Sequence, residues 1–236
     1  AGDRADAATW FNPAAGGFVT SSAYTSAPVP FVAAFAKANP VTADVGKAWT
    51  RSLPEGQYLY VDKGVGEKPS PYWSAEFPHA LKAKGDAPDA QFFEAWESSP
   101  FSDDYLGRVA IASVDALKLG QGKATDVLGV SFSALDLVGH DFGPASHEVQ
   151  DTLVRLDRTI GALLTHLDRA VGAGNYVVAF TADHGAAPIP EQAAASAIDA
   201  GRLDSATVRQ ATQKALEAAF GPGEYPVRSQ YSDLIL

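Results

Sequence analysis

The sequence contains no cysteine, which excludes disulfide bonds and every metal site that depends on thiolate ligands. Any metal ion would therefore have to be held by histidine, aspartate and glutamate. Methionine is also missing, and the first residue is Ala1. From these two features we expect the chain to be processed or to be an internal fragment of a longer protein.

Basic residues are scarce: Lys and Arg number 18 against 28 Asp and Glu, for a formal net charge of −10. This balance argues against nucleic acid or an anionic membrane surface as a partner, because both attract a basic face. Bound metal ions would offset part of the charge locally, so an anionic substrate remains compatible with it. No apolar run approaches the roughly 20 residues of a membrane span, and no signal-peptide pattern opens the chain.

The first half of the sequence is rich in turns and aromatic residues. Residues 9–26 have the pattern of a hairpin of short strands, broken by Asn-Pro and Gly-Gly, and 29–39 predicts a short helix. Residues from about 50 to 101 show no sustained periodicity. We interpret this stretch as an irregular insertion or cap, because long irregular segments in compact proteins are usually functional or inserted.

The second half alternates helical and strand patterns. Helices are predicted at 102–120, 145–174 and 205–221, and strands at 126–135, 175–183 and 232–236. This order is typical of an α/β fold whose largely parallel sheet is sandwiched by helices. We therefore predict that residues 1–236 form part of one such domain.

Acidic and histidine residues follow two of the predicted strands. Asp136 and His140 come after the first, and Asp183 and His184 come after the second. Ligands of parallel sheets gather beyond the carboxyl ends of the strands, so we expect the four side chains to meet there. An isolated Asp-His could instead be a helix cap followed by a surface histidine. Each metal ion needs roughly three or four protein ligands, so these residues would half-fill a pair of sites.

The region around these residues resembles the alkaline phosphatase superfamily, in particular bacterial alkaline phosphatases of its type I phosphodiesterase/nucleotide pyrophosphatase-like branch. The resemblance is carried by SFSALDLVGHDFGPASHEVQDTLVRLDRTIGALLTHLD and FTADHGAAPIPE. The zinc motifs of that branch, D-x-x-G-H and A-D-H-G, match residues 136–140 and 182–185. The stretch from residue 5 to residue 40 is also similar to monoesterases of the branch.

The resemblance implies an alkaline-phosphatase-like fold and two Zn²⁺ ions, and it leaves room for an additional divalent ion. Asp136 and His140 would hold one zinc with a further His, and Asp183 and His184 would hold the other with another Asp and the nucleophile. The nucleophilic Thr or Ser is expected upstream of Ala1, and the last His ligand beyond Leu236, because nothing in the chain matches them. By the same resemblance the chain alone is expected to be incomplete for catalysis.

The function implied is hydrolysis of small phosphate monoesters through a phospho-Thr or phospho-Ser intermediate. The alternatives are a phosphodiesterase or nucleotide pyrophosphatase on the same two-metal core, and a metal-binding fragment without turnover. His147, at the start of the long helix, is interpreted either as a solvated residue or as a second-shell partner of a metal ligand. The family also implies a periplasmic or secreted location.

Overall fold

A computed structural model describes residues 5–25, 27–85, 87–225, 228–230 and 233–235. The chain divides into two compact units, Ala1–Ile189 and Pro190–Leu236. The candidate ligands all belong to the first unit. The fold of that unit therefore determines how the site is built.

The first unit contains helices and two short antiparallel strand pairs. The strands are β1 (Trp10–Asn12), β2 (Gly17–Val19), β3 (Ala48–Trp49) and β4 (His79–Ala80). Single helical turns lie at Val41–Asp44 and Glu55–Gln57. The helices are α1 (Pro30–Ala38), α2 (Ala90–Glu97), α3 (Pro100–Leu117), α4 (Ala134–Phe142) and α5 (His147–Leu167), and α5 continues into a wide turn at Asp168–Gly172.

The second unit consists of α6 (Pro190–Ala195), α7 (Ser205–Phe220) and the antiparallel pair β5 (Arg228–Gln230) and β6 (Asp233–Ile235). Asp204 caps α7, because its side chain accepts a hydrogen bond from the backbone N–H of Thr207 at 2.9 Å. The predicted helix 205–221 is thereby confirmed. The strand predicted at 232–236 is confirmed at residues 233–235, and its two end residues lie outside the described ranges.

The hairpin predicted near the start of the chain is confirmed as β1 and β2. Its turn follows from local chemistry: the Asn12 side chain accepts hydrogen bonds from the backbone N–H groups of Ala14 and Ala15. Gly16 then adopts a φ of 63°, which residues with a side chain rarely adopt. The helix predicted at 29–39 is likewise present as α1.

Helices α3 and α5 pack against each other in the first unit. Ser146 begins α5 by accepting a hydrogen bond from the backbone N–H of Val149 at 3.2 Å. The two helices approach closely at Gly107, where a Cβ atom would overlap Cγ2 of Thr159. Both helices agree with the sequence prediction within a few residues at each end.

The core of the first unit is strongly aromatic. Trp49, Phe92, Trp96, Tyr105 and Phe142 are all buried at 2% exposure or less. Two of these come from the segment 50–101, which also contributes Trp73 and Leu81 to the core. That segment is mostly irregular before α2, as predicted, yet it packs as an integral part of the core. Its assignment as an insertion stays a prediction.

The predicted parallel sheet is not formed within the described residues. All three sheets there are two-stranded and antiparallel. Residues 126–133 and 175–183 form no strand ladder, and Val127 and Val177 are 90% and 95% exposed. The apolar pattern correctly marked residues that favour burial, but a strand also needs hydrogen-bonding neighbours, which a local pattern cannot specify.

Within the described ranges, we find no helix whose length and apolar character would suffice to cross a membrane.

Candidate metal centre

Helix α4 presents Asp136 and His140 on its half-exposed side. Ala134, Val138 and Phe142, spaced four residues apart, are buried and attach the helix to the unit. Asp136 and His140 lie on a different face and, being four residues apart, are neighbours there. His140 Nε2 is 3.5 Å from Asp136 Oδ2. The predicted pairing of these two residues on one turn is present in the structure.

The second motif meets the first in space. His184 Nε2 lies 3.5 Å from Asp136 Oδ1 and 3.7 Å from Asp183 Oδ2. Both carboxylates therefore contact the same imidazole, although the two motifs are separated by the whole of α5. Side chains of the four residues are 45% (Asp136), 73% (His140), 88% (Asp183) and 56% (His184) exposed.

Hydrogen bonds within the 183–185 loop orient the His184 ring. Its Nδ1 lies 3.1 Å from the carbonyl oxygen of Gly185, and the Asp183 carboxylate accepts from the backbone N–H of His184. A carbonyl can only accept, so Nδ1 carries the proton. Nε2 is then the atom that faces Asp136 and Asp183, an arrangement that is usual for a metal-binding histidine.

The charge around His184 is negative. The hydrogen bond to the Gly185 carbonyl, followed by the carboxylates of Asp183 and Asp136, raises the pKa of His184 above its ordinary value. A proton and a metal ion compete for the same Nε2 lone pair. The site therefore attracts positive charge of either kind.

The four side chains lie along a cleft of about 1660 Å³. Apolar side chains of α5 also line it, including Leu153, Leu156 and Ile160. The irregular segments 126–133 and 174–187 also line it. The candidate ligands thus line an open cleft that combines apolar side chains with a few polar groups, as ligand sites commonly do.

The donor atoms suit zinc in type and spacing, but the set is incomplete. Two donors on one tetrahedral zinc lie about 3.4 Å apart, given bond lengths of about 2.1 Å. The distance of 3.5 Å between Asp136 Oδ2 and His140 Nε2, the two residues expected to share one ion, matches that spacing. However, no three His, Asp or Glu side chains of the described residues are grouped so that they could hold a metal ion. The residues fit part of a centre that needs further ligands.

His147 is not a solvated residue of the first helical turn. It is 4% exposed, with Nε2 at 2.5 Å from the Tyr60 carbonyl oxygen and Nδ1 accepting from Arg51 Nε at 3.2 Å. The Tyr58 ring packs against it. Both ring nitrogens are engaged by the segment 51–60, so its second-shell role stays a prediction that these contacts do not support. The helical pattern failed here because it ignores the irregular segment that covers this turn.

Several polar residues near the start of α5 were not identified from the sequence. Asp151 is fully buried and accepts hydrogen bonds from Trp49 Nε1, the Tyr58 hydroxyl and Arg155 Nε at 2.6–2.7 Å. It also accepts from the backbone N–H and hydroxyl of Ser52. Burial alone would raise the pKa of Asp151, but the hydrogen bonds outweigh it and lower that pKa.

A second buried contact lies one turn away. His79 Nε2 is 2.8 Å from Glu148 Oε1, and both side chains are fully buried among aromatic rings that include Trp49 and Trp73. We call His147, Glu148 and Asp151, with the side chains that contact them, the α5 clamp. The feature of the sequence that could have indicated the clamp was a run of polar residues on the buried side of a helix.

The chain belongs to the type I phosphodiesterase / nucleotide pyrophosphatase family, whose model matches residues 3–219. Alkaline phosphatase PafA of Elizabethkingia meningoseptica is 35% identical over 198 residues, which cover 79% of this chain and 34% of that protein. A protein of Myroides odoratus named calcium-transporting ATPase is 31% identical over 231 residues, covering 94% of this chain and 41% of that protein.

A crystal structure of wild-type alkaline phosphatase PafA matches the fold with a TM-score of 0.79 at 29% identity, over 96% of this chain and 43% of that one. This match shows an alkaline-phosphatase-like α/β fold and confirms the family indicated by the motifs. The chain spans between 34% and 43% of the length of these relatives.

Proposed function

We propose that the complete protein is a zinc-dependent phosphate monoester hydrolase with Asp136, His140, Asp183 and His184 as ligands in this chain. The observation that carries the proposal is the meeting of the two motifs, with both Asp136 and Asp183 within 3.7 Å of His184 Nε2. Membership of a phosphoesterase family and the similarity to an alkaline phosphatase support it.

The surroundings of Asp136 and His184 explain how these two ligands are held in place. Asp136 lies between the two imidazoles and is held by a helix anchored in the core. His184 is oriented by the Gly185 carbonyl so that Nε2 faces the carboxylates. When bound, a pair of zinc ions supplies charge stabilisation at the attacking and leaving oxygens of a phosphoryl transfer.

The remaining ligands and the nucleophile are proposed to lie outside this chain. A Thr or Ser would form the phospho-enzyme, and a further Asp and a further His would complete the two coordination shells. Support comes from the incomplete ligand set among the described residues and from the greater length of the relatives. A phosphodiesterase or nucleotide pyrophosphatase on the same residues is the alternative, favoured by the family description.

The same reasoning supports a largely parallel sheet sandwiched by helices in the complete protein. The apolar side chains of Val127, Val177 and Phe180 are exposed, and the last two line the cleft together with apolar residues of α5. We propose that residues 126–133 and 175–183 pair with strands supplied by the rest of the protein. We further propose a periplasmic or secreted location, on the family resemblance and the absence of cysteine.

The test is a substrate comparison with the complete open reading frame, purified with zinc. p-Nitrophenyl phosphate, bis-p-nitrophenyl phosphate and ATP serve as monoester, diester and anhydride substrates. We expect the monoester to have the highest kcat/KM and a chelator to abolish turnover. A higher kcat/KM for the diester or for ATP would favour the alternative, and a chelator-resistant rate would contradict metal dependence.

Ligand variants sharpen the test. Asp183→Ala and His184→Ala should each lose about one zinc ion per chain, with turnover falling on the order of 100-fold or more, because an incomplete ligand shell loses affinity steeply. Asp157→Ala, on the exposed side of α5, is the matched control and should leave both unchanged. Full zinc content with a normal rate in either ligand variant would overturn the assignment.

A further inference from the structure

The helix that carries Asp136 and His140 begins without a cap of its own. The residue before it, Ser133, makes no side-chain hydrogen bond to the first turn of α4. The segment before that residue forms no strand ladder that could hold it. The first backbone N–H groups of a helix need acceptors from outside the helix, so another part of the chain must provide one.

That acceptor comes from α3. Asp103 Oδ1 accepts a hydrogen bond from the backbone N–H of Ala134 at 3.3 Å, across 31 positions of sequence. Asp103 is 3% exposed, so its carboxylate is held between the two helices. Burial raises the pKa of Asp103 to about 6, and the backbone N–H groups of Ala134 and Ser133 partly offset that rise.

The placement of this carboxylate is costly for the fold. Its second oxygen, Oδ2, is buried and has no hydrogen-bond partner among the described residues. An unpartnered buried carboxylate oxygen reduces stability, and an apolar residue of similar size would avoid that cost. That cost is offset by a favourable interaction: the negative carboxylate lies at the positive N-terminal end of the α4 dipole and accepts from the first N–H of the helix.

We propose that Asp103 is a positioning residue of the metal centre, which caps α4 from α3 and thereby sets the location of Asp136 and His140. Asp136 lies two residues beyond the capped Ala134, within the same first turn. Metal–ligand distances tolerate about ±0.2 Å, so a small shift or fraying of this turn moves Asp136 out of range. The expected effect on metal binding rests on the proposed function, whereas the capping of α4 by Asp103 does not.

The experiment compares Asp103→Leu with Asp103→Asn in the complete protein. Leu removes the acceptor at similar size, whereas Asn retains an oxygen that can accept from Ala134. Ser113→Ala is the matched control, because Ser113 is a buried polar residue of α3 whose hydroxyl donates to the Val109 carbonyl of its own helix. Zinc affinity is measured by competition with a chromogenic chelator, and unfolding by urea.

We expect Asp103→Leu to weaken zinc binding roughly tenfold or more, as for partners that orient metal ligands, while the protein remains folded. Asp103→Asn and Ser113→Ala should bind zinc with an affinity within about threefold of the wild type, which is less than the roughly tenfold loss on removing a residue that orients a metal ligand. Hydrogen exchange of the zinc-free protein should rise in residues 134–142 of Asp103→Leu and not in α5. Should Asp103→Leu be unfolded, Asp103→Ser, whose hydroxyl is too short to reach Ala134, replaces it.

Several outcomes would overturn the proposal: wild-type zinc affinity in Asp103→Leu or Asp103→Ser, an equal loss in Asp103→Asn, or loss of the whole fold in both acceptor-free variants. These outcomes are distinguishable from failure of the proposed function. If the wild-type protein bound no zinc, the function would fail, whereas the exchange of residues 134–142 would still decide whether Asp103 caps α4.

Discussion

The α5 clamp and the candidate metal centre use the same residue types in opposite environments. Both bring an acid and a histidine together from distant parts of the chain: His79 and Glu148 in the clamp, and Asp136 and His184 in the metal centre. In the clamp, Asp151 and His147 are buried, and both carboxylate oxygens of Asp151 and both ring nitrogens of His147 have hydrogen-bond partners. In the metal centre, Asp136 and His184 are about half exposed and their closest mutual approach is 3.5 Å.

The difference shows what each arrangement can do. A buried carboxylate whose oxygens accept from Trp, Tyr, Ser and Arg has no free electron pair to offer a metal ion. Its hydrogen bonds instead stabilise the packing of separate segments of the chain. In the metal centre, the exposed Nε2 of His184 and the carboxylate oxygens that face it remain available to a cation. Residue type alone therefore does not separate structural acids and histidines from ligands.

The largest effect on stability is expected from Asp151→Ala. The change leaves Trp49 Nε1 and the Tyr58 hydroxyl buried without their acceptor, so we expect the free energy of unfolding in urea to fall by about 3 to 5 kcal/mol. Asp104→Ala, which removes an exposed ion pair with Arg108, is the control and should cost less than about 1 kcal/mol.

Asp136→Ala provides the contrast from the other region. Its unfolding free energy without zinc should stay within about 0.5 kcal/mol of the wild type, as for other exposed positions, while zinc binding is lost. A loss of less than about 1 kcal/mol in Asp151→Ala, the scale of an exposed pair, would remove the distinction between the two regions.

A smaller effect is expected from His147→Ala. The variant leaves the Tyr60 carbonyl and Arg51 Nε without their partner in a half-buried place, and we expect a loss of about 1 to 3 kcal/mol in unfolding free energy. Turnover and zinc content of the folded enzyme should change far less than in His184→Ala. A loss of zinc comparable to that of His184→Ala would instead assign His147 to the metal centre, and the two regions would then share this residue.

The smallest effect concerns Glu67, which lies near the clamp. Burial, together with repulsion from Glu148 and Asp62, raises the pKa of Glu67 from 4.5 to about 7. The folded state therefore keeps a proton that the unfolded state releases between these values, so its contribution to stability falls as pH rises from 4.5 to about 7.

Glu67→Gln should remove this part of the pH dependence. Urea unfolding of both proteins at several pH values between about 4.5 and 8 gives the comparison, and the variant should gain relative stability as pH rises. Other groups with a raised pKa, such as Asp103, are common to both proteins. The difference between their curves of stability against pH therefore reports on Glu67 alone. Parallel curves would show that this carboxyl titrates alike in both states.

The sequence predicted those features whose causes are local. The first hairpin follows from Asn12 and Gly16, and α5 begins at the cap that Ser146 provides. The spacing of Asp136 and His140 places them on one turn without reference to the rest of the fold. The two motifs also identified the family, because their residues stand at the family's spacings.

The features that escaped prediction depend on partners far away in sequence. Whether His79 and His147 are buried is decided by the irregular segment 50–78 folding over α5. The cap of α4 comes from Asp103, 31 positions upstream. The contact between Asp136 and His184 was expected from a parallel sheet, yet it occurs where residues 126–133 and 175–183 have no strand ladder in the described chain.

The sequence by itself thus determined helices α1, α3, α5 and α7, the caps of α5 and α7, and the residue types of the candidate ligands, because these depend on side chains within one or two turns of each other. Only the tertiary structure decided which acids and histidines are buried and satisfied and which are left free for a cation. That decision depends on long-range packing and desolvation, which set the cost of an unpartnered charge and which no local pattern encodes.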